Sequence, residues 1–286
     1  MKIKKAVFPV AGFGTRFLPA TKSMPKEMLP IIDKPLVHYA VEEALHAGIK
    51  TIIFITGRGK RAIEDYFDYS YELEHTLKKD GKNDLYNQIR EISELCEVIY
   101  VRQKEPLGLG HAILCANDVV GNEPFAVFLP DDIIFSKIPC IKQLIDVYEK
   151  YKTSVLAVRE VSREKTKLYG IIKPEKKENS VYKVLDMIEK PEPKKAPSNL
   201  GIVGRYILTP EVFKFLEKSE KGTLDEIQIT DSIKKLIPKQ GVYACEFEGE
   251  HFDAGDKLGF LKATVSLALK RPDLKDDFKR FLDSVK

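Results

Sequence analysis

The chain has 286 residues, 43% of them hydrophobic and 31% charged, enough apolar material for the core of one large α/β domain. Its 47 basic and 43 acidic residues leave a formal net charge of +4, too even a balance to argue for a nucleic acid or a membrane surface as partner. No apolar run reaches membrane-spanning length, and Pro9, Gly12 and Gly14 interrupt the N-terminal apolar run, so a cytoplasmic protein is expected.

In chain order, residues 4–10 (KKAVFPV) read as a strand. Pro35 opens a helix behind Asp33, with Leu36, Val37, Ala40, Val41 and Ala44 at helical spacing, and Gly48 stops it. A strand at 50–56 and a helix at 59–68 follow. Residues 70–95 read as two helices joined at Asp80-Gly81, an insertion that is either a solvated hairpin or an oligomer contact. Next come a strand at 96–102, a helix at 111–118, a strand at 124–130, a helix at 141–151 and a strand at 153–160. Continuous β-branched runs separated by helices predict a mostly parallel central sheet covered on both faces. After Arg159 the runs GIIKP, VYKVLDMIEKP, LGIVGRYIL and GVYACEFEG follow with fewer helices between them, which predicts a smaller mixed-sheet region. A last helix at 257–268 precedes a charged tail at 271–286. Cys96, Cys115, Cys140 and Cys245 form no CxxC pair and read as free thiols.

The first strand runs into GFGTRFLPATKSMPKEMLP. Residues 1–26 hold six Lys or Arg and no acid. The dinucleotide fingerprint needs a third glycine where Phe17 stands, and Pro19 and Pro25 prevent a helix from starting there. Gly12 and Gly14 with Arg16, Lys22 and Lys26 instead describe a loop that cradles more than one phosphate, Arg as a fork and Lys as a point charge.

Asp131 and Asp132 follow the strand PFAVFLP, where they serve equally well as metal-binding carboxylates or as a helix cap. Far downstream, Asp256 suits the cap of the last helix, whereas Asp253 precedes a tight glycine turn and has no such use. One carboxylate from each place would suit Mg²⁺, which keeps waters and takes substrate phosphates as ligands. Glu189 and Lys190 leave a strand before Pro191, and one ligand reaches both only if the chain bends there. Gln103 ends a strand ahead of Gly108 and Gly110; its amide suits the edge of a pyrimidine base, and an ordinary strand-to-helix loop is the alternative. His111 reads as a helix-face residue.

Seven segments occur in one order: GFGTRFLPATKSMPKEMLP, QKEPLGLGHA, LPDD, YGIIKP, EKP, NLGIVGRY and FDAGDKLG. From Lys2 to Leu269 the sequence resembles the bacterial UTP–glucose-1-phosphate uridylyltransferases, a sugar nucleotidyltransferase family. The resemblance implies a Rossmann-like nucleotidyltransferase fold in a single domain over 1–270, with the sugar-binding part at about 160–255. It implies transfer of a uridylyl group from UTP to glucose 1-phosphate with Mg²⁺, in a homo-oligomer, dimer or tetramer. Matched motif by motif, it places the backbone of Ala11, Gly12 and Gly14 at the nucleotide, and Arg16 and Lys26 on the triphosphate. It places Glu27, Gln103 and Gly108 near the uracil and Asp131 and Asp253 on the metal. Gly170, Glu189 and Asn199 fall to the glucose hydroxyls and Lys190 to the sugar phosphate. The match gives Asp132 no fixed role.

Overall fold

The computed structural model describes residues 1–220 and 226–285. Its strands are β1 (Lys5–Pro9), β2 (Pro30–Ile31), β3 (Lys34–Pro35), β4 (Thr51–Thr56), β5 (Glu97–Arg102), β6 (Phe125–Phe128), β7 (Asp132–Phe135), β8 (Val155–Glu160), β9 (Gly170–Glu178), β10 (Val181–Glu189), β11 (Leu200–Leu208), β12 (Tyr243–Glu246) and β13 (Glu250–Asp253). Its helices are α1 (Leu36–His46), α2 (Arg61–Phe67), α3 (Tyr71–Lys79), α4 (Asn83–Glu94), α5 (Leu109–Leu114), α6 (Asn117–Val120), α7 (Cys140–Tyr151), α8 (Glu211–Leu216), α9 (Ile229–Gln240), α10 (Lys257–Ala268) and α11 (Lys275–Ser284).

Nine strands form one sheet in the order β5-β4-β1-β6-β11-β8-β12-β10-β9. β1 pairs in parallel with β4 on one side and β6 on the other, and β4 with β5. The chain therefore winds outward through β4 and β5 and then returns to the far side of β1 at β6. In such sheets ligands bind in the crevice at the carboxyl ends of the strands, where the winding reverses. Beyond β6 the pairing turns mixed: β11 runs antiparallel to β6 and β8, β12 parallel to β8, and β10 antiparallel to β12 and β9. The mixed region expected after Arg159 is thus the other half of the same sheet.

Alternate residues of the strands face opposite layers, as the two-residue period requires. Ala6, Phe8, Ile52, Phe54, Ala126 and Phe128 pack with apolar residues of α1, α2 and α7. Val7, Ile53, Ile55, Phe125 and Val127 pack with α5, α8 and α9. A third cluster joins Phe17, Leu29 and Ile31 of the first loop to Ile133 of β7, Ala254, and Ala263 and Leu267 of α10. This small core ties the N-terminal loop to the C-terminal part of the chain, and the candidate site lies beside it.

The insertion is a hairpin of α3 and α4 turning at Gly81, whose φ of +71° suits glycine. α4 has no buried residue, and Arg90 ties it to Glu74 of α3 at 3.1 Å. The tail after 270, expected as charged, contains helix α11, and Arg271 just before it pairs with Asp33 in the N-terminal part of the chain; Lys286 lies outside the described residues. All four cysteines are free, Cys140 and Cys245 buried.

Candidate active site

The parallel strands deliver their carboxyl ends to one edge. The first loop leaves β1, Gly57–Lys60 leaves β4, Gln103 follows β5, and Leu129–Asp131 follows β6. Backbone bonds knit these exits together: Val10 N donates to Ile55 O at 3.0 Å, and Gln103 N to Thr56 O at 2.8 Å.

The first loop is a series of tight turns. Gly14 sits at φ +67°, which favours glycine, and a Cβ there would press on Lys26 Cβ at 3.1 Å. Thr21 Oγ1 donates to Gly14 O at 2.7 Å and closes the loop on itself. A Cβ on Gly12 would meet nothing within 4 Å, so the backbone of Gly12 borders open space that a ligand can approach. Arg16 Nη1 reaches across to Gly255 O at 3.3 Å.

Lys26 Nζ lies 2.6 Å from Asp131 Oδ2. Burial opposes the charge of Lys26, but Asp131 and Glu27 outweigh it and hold the ammonium above the ordinary lysine range. Burial likewise opposes the Asp131 carboxylate, and Lys26 overcomes it and keeps the group below the usual range. Glu27 points inward, 2% exposed, and its carboxylate meets Lys60 Nζ at 2.8 Å. There burial prevails over Lys60 and Lys26, and the Glu27 carboxyl is pushed up.

β7 and β13 form a two-stranded ribbon with Asp132 opposite Asp253, and Ala254 N donates to Asp131 O at 2.8 Å. A Cβ built on Gly255 would lie 2.9 Å from Asp253 Oδ1, 3.0 Å from Asp131 Oδ2 and 3.2 Å from Arg16 Nη1. Those two contacts cap the separation of the carboxylate oxygens at about 6 Å. Burial, then Asp132 and Asp131, raise the Asp253 carboxyl, against the hydrogen bond from Gly255 N at 2.9 Å. Asp132 is engaged otherwise: Gly204 N donates to its Oδ2 at 3.0 Å, and His251 Nε2 lies 2.5 Å from its Oδ1. Among the described residues no group of three or more His, Cys, Asp or Glu could hold a metal. Asp131 and Asp253 by themselves offer a hard divalent cation two carboxylates, a set that other oxygen ligands would have to complete.

The second half of the site is built on β9 and β10. Gly170 pairs with Glu189, and a Cβ on Gly170 would lie 3.1 Å from Glu189 Oε2. Thr230 Oγ1 donates to the same oxygen at 2.6 Å. The chain does bend at Lys190: its φ is +45°, uncommon for a non-glycine residue, and its N–H donates to Tyr169 O at 3.1 Å. The bend brings Lys190 Nζ to 3.6 Å from Glu189 Oε1, so one ligand can meet both. Tyr169 links this half to the carboxylates. Burial first, then Asp253 and Asp132, push its phenol up to about 12. Tyr169 and Asp253 line one cavity of about 520 Å³ with Arg159 and His251. Asn199 is held elsewhere: its Oδ1 accepts from Arg163 Nη1 at 3.3 Å, and it lines a different cavity with Tyr182 and Glu246.

Gln103 is 8% exposed, and its amide nitrogen donates to Gly108 O at 3.2 Å and meets His111 Nδ1 at 3.0 Å. Gly108, at φ +97°, packs against the residues just before α9, where a Cβ would lie 2.7 Å from Glu226 Cβ. Lys60 and Thr230 escape a sequence reading as site residues, because each supports a motif residue from a distant position. His111 and Tyr169 lie within the quoted motifs, but only the fold reveals their contacts with Gln103 and Lys190.

Fold and site together define a nucleotidyltransferase: residues 5–269 match the family model described as Nucleotidyl transferase. Over 281 residues, 98% of each chain, the sequence is 55% identical to the UTP–glucose-1-phosphate uridylyltransferase of Staphylococcus epidermidis, and the chain belongs to that enzyme's family. Among solved structures, the UTP-bound UGPase from Acinetobacter baumannii superposes with a TM-score of 0.90 at 42% identity, covering 99% of this chain and 100% of that one. A UDP-glucose pyrophosphorylase complexed with UDP-glucose gives a TM-score of 0.86 at 47% identity, covering 94% of this chain and 100% of that one.

Proposed function

We propose that the protein transfers a uridylyl group from UTP to α-D-glucose 1-phosphate, giving UDP-glucose and pyrophosphate. The observation that carries this reading is the convergence of Asp131, Asp253 and Arg16 on one point beside Gly255, at the exit of the first loop. A phosphate oxygen of the sugar attacks the α-phosphorus of UTP, a new P–O bond forms, and the bond to the β-phosphate breaks as pyrophosphate leaves.

The attacking phosphate is already ionised at neutral pH, so no side chain need remove a proton. The protein's task is to bring two anions together and hold them in line, a positioning effect of roughly 7–11 kcal/mol in well-aligned reactions. The backbone of Ala11, Gly12 and Gly14 borders the nucleotide, and Arg16 and Lys26 hold its triphosphate. Gln103 and Gly108 meet the uracil, with Glu27 close by and turned toward Lys60. Glu189 and Gly170 take the glucose hydroxyls and Lys190 the sugar phosphate, while Asn199, which the motif match also gives to the sugar, faces a different cavity and is left out of this set. Asp131 and Asp253 would hold Mg²⁺, which supplies positive charge against the phosphates when bound. Lys26 then has two partners to share, Asp131 and the triphosphate, and is cationic for both at neutral pH.

Four free cysteines fit a cytoplasmic setting, and a homo-oligomer, dimer or tetramer, belongs to the same reading. The test is pyrophosphate release from a panel of four nucleoside triphosphates against several sugar 1-phosphates. UTP with glucose 1-phosphate is expected to be fastest; another pair turned over faster, or no release, contradicts the reading.

A further inference from the structure

Behind the candidate metal site lies a buried charge that the reaction does not use directly. Arg205, on β11, is 1% exposed. Its five N–H donors are all engaged. Nε and Nη2 donate to Glu43 Oε2 at 3.0 and 2.8 Å. Nη1 donates to Leu129 O and Gly204 O, both at 3.0 Å, and Nη2 also to Asp132 O at 2.8 Å. The guanidinium stacks over Phe128 at 4.7 Å, the last residue of β6. Glu43, on α1, accepts in turn from Ile141 N of α7 at 2.9 Å through its other oxygen.

Two of the three carbonyls that Arg205 grips, Leu129 O and Asp132 O, belong to the two ends of the turn Leu129–Asp132, which carries Asp131. That turn is closed by Asp132 N donating to Leu129 O at 3.1 Å, and is pinned to β11 by Leu129 N donating to Gly204 O at 2.9 Å. β11 slips register against β8 between Ile202 and Tyr206, the stretch that holds Gly204 and Arg205. Such irregularities re-aim side chains. At Gly204 any Cβ would lie 2.4 Å from Asp132 Oδ2 and 2.5 Å from Leu129 Cβ, so the turn and the strand are in direct contact.

We propose that Arg205, charge-balanced by Glu43, is a positioning residue that sets the Asp131 carboxylate for the divalent cation. The inference rests on Asp131 being a metal ligand. A buried ion pair is weak evidence for stability in itself, because desolvation offsets its attraction. Its worth here lies in geometry: one rigid fork fixes both ends of a short turn and the strand behind it. Lysine would keep the charge but not the five-donor fork.

The test uses the whole protein with Mn²⁺ as probe, read by electron paramagnetic resonance in the presence of UTP, alongside thermal melting and pyrophosphate release. Arg205→Lys keeps a cation beside Glu43. The pair Glu43→Gln with Arg205→Met removes both charges, so no unbalanced charge remains to unfold the protein. Both variants are expected to melt cooperatively yet to bind Mn²⁺ about 10-fold more weakly, the lower end of what residues supporting metal ligands contribute. Half-saturating Mg²⁺ for turnover should rise in step. Parental Mn²⁺ affinity in either folded variant overturns the proposal. A parent protein that binds Mn²⁺ but releases no pyrophosphate would contradict the proposed reaction instead, and the Mn²⁺ comparison would still decide the role of Arg205.

Discussion

Asp253 stands directly across the β7–β13 ribbon from Asp132, and this one pairing brings carboxylates 121 positions apart in the chain to the same edge of the sheet. Two short strands thus do what sequence spacing could not announce. Asp132, the partner in register, is held by Gly204 and His251, whereas Asp131, one residue earlier, turns toward Lys26.

Asp131→Asn and Asp253→Asn should each lower Mg²⁺-dependent turnover by about 10²–10³, the usual loss for one preorganised charged contact. The checking measurement is a Mg²⁺ titration of pyrophosphate release. A variant with the parental titration curve and rate would remove that aspartate from the metal site.

Lys190→Ala should damage the use of glucose 1-phosphate and leave UTP binding nearly intact. The bend at φ +45° sets Lys190 Nζ 3.6 Å from Glu189 Oε1, so one ligand can meet both. Steady-state kinetics should show a rate loss of about 10²-fold or more with the apparent affinity for UTP preserved. A variant weakened only toward UTP would contradict the assignment.

Much of this was legible in the sequence. The parallel pairing of β1, β4 and β6 followed from continuous apolar runs separated by helices, because strands buried on both faces need no polar alternation; the order in which they wind did not. The insertion hairpin and the Asp256 cap, whose Oδ1 accepts from Gly259 N at 2.8 Å, also followed from local patterns. What stayed hidden depends on contacts between distant segments. The junction of both halves into one sheet rests on β6–β11 pairing, with no sequence mark of its own. Glu27 turning down to Lys60 and His111 meeting Gln103 are equally silent, since neither spacing belongs to a helix or strand period. The helix after residue 270 was missed because its charges dominate the composition and its apolar positions are few.

Gly108→Ala should lower thermal stability by about 1–2 kcal/mol, because alanine is strained in the left-handed region. The added carbon would also press on Glu226. Since Gly108 O accepts from the Gln103 amide, the apparent affinity for UTP should weaken with it. Melting curves with and without UTP check both effects.

Acid should act partly through Glu42. Burial favours its neutral form, but hydrogen bonds with His38 at 3.0 Å and Lys34 at 2.7 Å prevail and lower its pKa to about 2. A carboxyl depressed on folding adds stability above its unfolded pKa of 4.5, and loses it as pH falls toward 2. Glu42→Gln should therefore cost about 1 kcal/mol or less near neutrality, given the partly exposed Lys34, and the difference should shrink below pH 4. Urea midpoints across pH 3–7 give the comparison, and a gap that widens toward acid would contradict this role.

The central claim is that anionic phosphates meet between the first loop and the two aspartates. A crystal structure with UDP-glucose and Mn²⁺, located by its anomalous signal, tests it most directly. The metal should lie against Asp131 and Asp253, with the diphosphate bordered by Gly12 and Arg16 and the sugar phosphate near Lys190. A diphosphate bound away from these groups, or a metal without either aspartate, would contradict the account.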